Sequence, residues 1–225
     1  MAEAAGSAEL GQVPAVPLGV EIPPEPPEVG SRQLFFGGRM LAGSALFFFL
    51  AFGFAYFYLR SLDVEHMWKP KGVSPSEGWG AAIVIVLVAS GLLAIAAGRM
   101  MGKGSRAPQA GWLNIALLSL VLGLAAVVLQ CIEWSSQSFG PASGAYASVY
   151  CGWTALYTLM ALGALYWLEI HVATELRARR HPAPHGDVAN PDRLIQPGLD
   201  AAVFFWTFTV GLGIIAWVIL YPISS

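Results

Sequence analysis

The sequence predicts an all-α fold, a polytopic membrane bundle of five transmembrane helices, and three observations carry that prediction. Between Arg39 and Arg60 lie twenty residues without a charge. A helix of that length rises about 30 Å, the hydrocarbon thickness of a bilayer. Four more apolar runs of similar length follow it. Across the 225 residues, hydrophobic side chains make up 56% and charged ones 12%, with mean hydropathy +0.61. These values exclude a disordered chain and an ordinary water-soluble one. Net charge is −2 and the basic residues are scattered, so no nucleic-acid partner is indicated.

Residues 1–33 are of different material, with six prolines and five glutamates. Such a segment buries too little apolar surface to fold, and PPEPPEV is expected to be extended and solvated. It has neither a basic n-region nor an apolar core, so it does not read as a secretory signal. Residues 1–33 are therefore expected as a disordered cytoplasmic tail and residues 34–225 as the membrane domain.

The spans are expected at about 40–59, 80–98, 112–132, 146–168 and 201–221, all helical because backbone hydrogen bonds in lipid must close within each segment. Trp79, Trp112, Tyr146, Trp206 and Tyr221 fall near span ends, as interfacial aromatics do. Nine of the twelve lysines and arginines collect on one side (Arg32, Arg39, Arg99, Lys103, Arg106, Arg177, Arg179, Arg180, Arg193), against Arg60, Lys69 and Lys71 on the other. That imbalance predicts a cytoplasmic N-terminus and an outside C-terminus. The stretch EIHVATELRARR is expected to extend the fourth helix past the membrane. Ser119 with Gly123, the Ala161–Leu165 stretch, and Gly211 with Gly213 mark faces thin enough for close helix approach.

The spans carry little that could perform chemistry. Asn114 and Gln130 are the only amides within them, and Glu133 is placed just beyond the end of span three. His181 and His185 are separated by Pro182 and Pro184, so no regular helix presents them together. No pair of histidines shares a membrane-helix face, and no phosphate loop, nucleophile elbow or zinc spacing occurs. Catalytic and metal residues are accordingly expected to be none. Cys131 and Cys151 could in principle pair, but two cysteines in a membrane chain are more often small buried residues. Glu133, at a helix C-terminus, opposes the macrodipole and needs a partner. Arg60, which ends span one on the same side, is expected to approach it or to share a polar cluster with it, with a solvated interfacial carboxylate as the alternative.

Ser44 to Arg60, SALFFFLAFGFAYFYLR, resembles the first of the core five helices in subunit III of haem-copper oxidases, a family that includes cytochrome c oxidase. Gln130, Glu133 and Trp134 match that family's glutamine–x–x–glutamate–aromatic motif. Tyr146, Ser148, Tyr150 and Thr154 resemble the opening of the next helix, and Trp206 with Phe208 the start of the last. The resemblance covers about residues 34–222 and fits the shorter, five-helix members, with systematic departures. Ala45 stands where a glutamate is expected, Tyr157 and Met160 where histidines are, and Thr207 and Val210 where histidine and aspartate are.

The resemblance implies a non-catalytic subunit of a respiratory terminal oxidase in the cell's inner (plasma) membrane, packed against catalytic subunit I and supporting lipid binding, assembly and proton uptake. It implies no cofactor on this chain, haem and copper in the partner, and bound phospholipid. Arg60, Gln130, Glu133, Trp134, Ser44, Ala45, Tyr157 and Trp206 are the structural or interface candidates. A subunit III-like companion of a nitric oxide reductase is the alternative, and a small transporter the third reading.

Overall fold

The computed structural model describes residues 27–63, 68–102, 110–180 and 192–224. They form five helices: α1 (Pro27–Ser61), α2 (Glu77–Gly102), α3 (Ala110–Ser136), α4 (Ala145–Arg180) and α5 (Asp192–Leu220). Short 3₁₀ turns lie at Pro141–Ser143 and Pro222–Ser224, and the described residues include no strand. All five helices are long and apolar enough to cross a membrane. His66, Lys103, Arg106, His181 and His185 lie outside the described residues, as does the tail up to residue 26.

The helices outrun their apolar cores. α4 continues through EIHVATELRARR to Arg180, as its sequence predicts. α1 begins at Pro27, so residues 27–33, expected in the extended tail, are helical instead. Proline suits a first helical turn, where its missing N–H would have no partner anyway. α5 starts at Asp192, ahead of the apolar run, and carries Pro197 in its second turn.

α2, α3, α4 and α5 close a ring in which each packs on the next, and α1 lies outside it against α4 and α5. In lipid, association rests on close packing and interhelical hydrogen bonds rather than on the hydrophobic effect. The ring has both. Ser90 of α2 and Ser119 of α3 are fully buried and donate to one another's backbone carbonyls at 2.7 and 2.8 Å. The indole N–H of Trp206 on α5 donates to Ser90 Oγ at 3.1 Å. Three helices are thus tied at mid-depth. Trp206 is therefore no interfacial aromatic: the early start of α5 puts it in the interior, with no exposure.

Gly123 makes room for that indole. A Cβ there would stand 2.5 Å from Leu165 Cδ2 and 3.0 Å from Trp206 Cζ2. Gly213 likewise admits the Tyr157 side chain, whose hydroxyl donates to the Thr209 carbonyl at 3.0 Å. Gly211, expected to thin the same face, has nothing within 4 Å of a built Cβ and makes no close approach.

α1 is held differently. Phe49 and Phe52 meet Trp153 of α4 at ring separations of 6.3 and 6.0 Å. Its outer face is open, with Met40, Phe47 and Phe54 each over 70% exposed. A surface of that composition belongs in lipid or against another apolar protein.

Gly123 and Gly211 give opposite expectations. Gly123→Ala overpacks a buried contact and costs about 1–3 kcal/mol. Gly211→Ala adds only helix preference, worth about 0.5–1 kcal/mol in the stabilising direction. Thermal unfolding in one detergent, comparing both variants with the parent chain, reads the two signs.

Candidate functional site

The densest polar cluster among the described residues sits where α1, α3 and α5 end. Its centre is Glu133, on the last turn but one of α3 rather than beyond the span, and only 1% exposed. Burial excludes the solvated carboxylate. A buried carboxylate needs donors, because the C-terminal carbonyls of its own helix supply only negative potential. Gln130, one turn earlier, donates Nε2 to Oε2 at 3.0 Å. The hydroxyl of Tyr221, just past α5, stands 2.8 Å from both carboxylate oxygens.

Behind Tyr221 the donors continue. Gln137 Nε2 donates to the Tyr150 hydroxyl at 2.8 Å, and the Tyr150 and Tyr221 hydroxyls are 3.0 Å apart. With Tyr221 donating to Glu133, Tyr150 donates to Tyr221, and each hydroxyl accepts one bond and gives one. Gly80 makes this possible, since any Cβ on that first turn of α2 would collide with the Tyr221 ring. Beside the cluster is a cavity of about 30 Å³, lined among others by Gln130, Thr154, Tyr157 and Trp217.

Arg60 is not the partner of Glu133. Its guanidinium donates to the Ile223 carbonyl at 2.7 Å and to the Tyr56 hydroxyl at 3.4 Å. The two groups do share the C-terminal segment, which offers Tyr221 to one and Ile223 to the other. The Tyr146 hydroxyl holds the same segment through the Leu220 carbonyl at 2.6 Å. Aromatic edges run from Tyr56 to Trp68, on to Tyr146, Tyr150 and Tyr221, at centroid separations of 5.2–6.1 Å. Lys69 lies 4.9 Å over the Tyr146 ring. Burial lowers its pKa, and the charge of Arg60 lowers it further.

The other sequence candidates scatter. Trp134 ties α3 to α4 through its indole N–H and Thr154 Oγ1 at 3.1 Å. Trp206 belongs to the mid-depth tie. Ser44 is exposed and Ala45 half-buried on α1, away from any polar partner in the described residues. Sequence reasoning noted Tyr221 and Tyr150 as an interfacial aromatic and a motif residue but missed their link to Glu133. It missed Gln137 and the Ser90–Ser119 pair altogether.

Where the resemblance implies ionisable groups, the structure shows local satisfaction. Tyr157 bonds to Thr209, and Thr207 Oγ1 donates to the Val203 carbonyl of its own helix at 2.8 Å. Val210 is buried against Gly91, whose built Cβ would lie 3.1 Å from it. Among the described residues no group of three histidine, cysteine or acidic side chains converges as a metal site would. The Glu133 cluster accepts hydrogen bonds and fastens helix ends; it presents no nucleophile with a base beside it.

Fold and cluster together define a five-span membrane protein whose polar groups bind its own helices to one another. Over most of its length the chain is similar to cytochrome c oxidase subunit 3. It is 26% identical to that protein of Latimeria chalumnae over 196 residues, which is 84% of this chain and 68% of the relative. Identity is 27% over 197 residues with the Mus musculus protein and 25% over 195 with that of Gallus gallus, at the same coverage. No family model matches the chain. These similarities are consistent with a divergent subunit III family.

Tyr221→Phe takes the hydroxyl from both Glu133 and Tyr150 and leaves a buried carboxylate short of a donor. The expected cost is about 1–3 kcal/mol. Tyr58→Phe, on the exposed face of α1, is expected to change stability by less than about 0.5 kcal/mol. Parallel melting curves of the two variants compare these losses.

Proposed function

We propose that this chain is a non-catalytic subunit III of a respiratory haem-copper terminal oxidase, seated against catalytic subunit I in the plasma membrane. In this reading haem and copper reside in the partner, and the chain contributes assembly, bound phospholipid and the shape of the proton-uptake surface. The observation that carries it is the similarity to cytochrome c oxidase subunit 3 over 84% of the chain, together with the buried cluster built on Gln130, Glu133 and Tyr221. The open aromatic face of α1 supports a protein that works inside a larger membrane assembly. The positive-inside imbalance supports a cytoplasmic N-terminus.

The residues offer no support for a proton path confined to this bundle. A relay needs titratable groups in series, and positions 45, 157, 207 and 210 hold Ala, Tyr, Thr and Val. Any effect on proton uptake would therefore be exerted through the partner's surface.

Affinity purification of the tagged chain from native membranes in mild detergent, followed by an optical spectrum, tests the proposal. Co-purifying haem and copper with oxygen consumption is the expected result. Haem with nitric oxide turnover would transfer the chain to the reductase companion reading. A colourless, lone protein would overturn both.

A further inference from the structure

The aromatic rings near the Glu133 cluster form a line that carries opposite charges at its two ends. It starts at Trp68, in the loop between α1 and α2. Trp68 is pinned there, its backbone N–H donating to Asp63 Oδ1 at 2.9 Å and its carbonyl accepting from the Tyr146 N–H at 3.0 Å. Ring centroids then step from Trp68 to Tyr146 (5.7 Å), to Tyr150 (6.1 Å) and to Tyr221 (5.9 Å). These are the separations of aromatic pairs in contact. Phenylalanine would fill such a stack as well. What it lacks is the hydroxyl series, in which Tyr150 donates to Tyr221 and Tyr221 to the Glu133 carboxylate at 2.8 Å.

We propose that Trp68, Tyr146, Tyr150 and Tyr221 form a relay for single electrons, with Tyr221 as its redox-active end and Glu133 as the acceptor of the Tyr221 proton. The oxidant is an oxygen-centred radical, or another one-electron oxidant, at the loop that holds Trp68. It takes one electron from Trp68, and the vacancy is refilled in turn from Tyr146, Tyr150 and Tyr221. The Tyr221 O–H bond breaks, its proton binds a Glu133 oxygen, and a neutral Tyr221 phenoxyl radical and a Glu133 carboxylic acid remain. One electron and one proton have moved, by separate routes. An electron from an external reductant, returned along the same rings, reverses both.

Charge sets the direction. At the Trp68 end the Arg60 guanidinium donates to the Tyr56 hydroxyl at 3.4 Å, and Lys69 lies 4.9 Å over the Tyr146 ring. Cations raise the energy of an electron vacancy beside them, so neither ring is a resting place. Tyr146 gives its hydroxyl hydrogen to the Leu220 carbonyl at 2.6 Å, and an amide oxygen is too weak a base to keep a proton. Only at Tyr221 does a phenol face a carboxylate, at a distance within the ~2.6–3.2 Å over which protons are transferred. The relay uses contacts inside one chain and stands apart from the oxidase reading.

Flash oxidation of the purified full-length chain by photogenerated ruthenium(III) tris-bipyridyl, followed by transient absorption and freeze-quench electron paramagnetic resonance, tests it. The background carries Tyr58→Phe and Tyr166→Phe, which removes the two exposed tyrosines. A tyrosyl radical is expected in that background. Tyr221→Phe is expected to abolish most of it, and Tyr157→Phe, outside the line, to leave it unchanged. Glu133→Gln is expected to lower the yield about tenfold, the margin of a charge-assisted over a neutral hydrogen bond. Trp68→Phe is expected to slow the rise of the Tyr221 signal while leaving its line shape the same, a result that misfolding does not produce. Absence of a tyrosyl signal in the background chain overturns the proposal. So does an undiminished signal in Tyr221→Phe or Glu133→Gln, or a rise as fast in Trp68→Phe as in the background chain.

Discussion

A carboxylate enclosed in a membrane protein must be given its hydrogen bonds by the protein, because neither lipid nor bulk water can supply them. Glu133 imposes that demand at the end of α3, where the helix itself offers only carbonyls. The answer reaches across the fold. Gln130 comes from the same helix, but Tyr221 comes from 88 residues away and can arrive only if α5 ends where it does. Gly80 must leave the ring space, and Tyr150 must orient the hydroxyl. One acidic group thus sets the register of α2, α3, α4 and α5 at that end of the bundle.

At mid-depth a second tie acts on the same helices by other means. Ser90 and Ser119 exchange bonds with each other's backbone, and Trp206 caps the pair. Interhelical bonds of this kind are worth about 0.6 kcal/mol on average, with an upper range near 1–2 kcal/mol. They contribute modestly to stability but only in one alignment of three helices, so they act mainly on specificity. α1 takes part in neither tie. It is joined by ring packing and by Arg60 to Ile223, which makes it the helix most dependent on whatever covers its outer face.

The five spans were legible because a helix in lipid is a local object, readable from twenty uncharged residues. The need of Glu133 for a partner was legible for a similar reason, since the helix dipole is local. Its identity was not. Arg60 and Glu133 lie at the same end, but the guanidinium finds a nearer acceptor in Ile223 while the phenol of Tyr221 fills the carboxylate's place. Trp206 was misread because Asp192, Gln196, Pro197 and Asp200 look like loop residues. They form the first turns of α5, whose helix outruns the hydrocarbon layer, and so the indole moves from the boundary to the interior. Ser90 and Ser119 carry no pattern in sequence that distinguishes a buried pair from two small residues.

The distribution of polar groups then follows one rule. A buried polar side chain persists where its partners persist, because losing one partner strands the other at a cost of about 1–3 kcal/mol. Glu133 has Gln130, Tyr221 and, behind them, Tyr150 and Gln137. By contrast, the tyrosine at 157 and the threonine at 207 are satisfied by single backbone carbonyls, and the residues at 45 and 210 need no hydrogen bond at all. Such positions can change one at a time, whereas the Glu133 cluster can change only as a group.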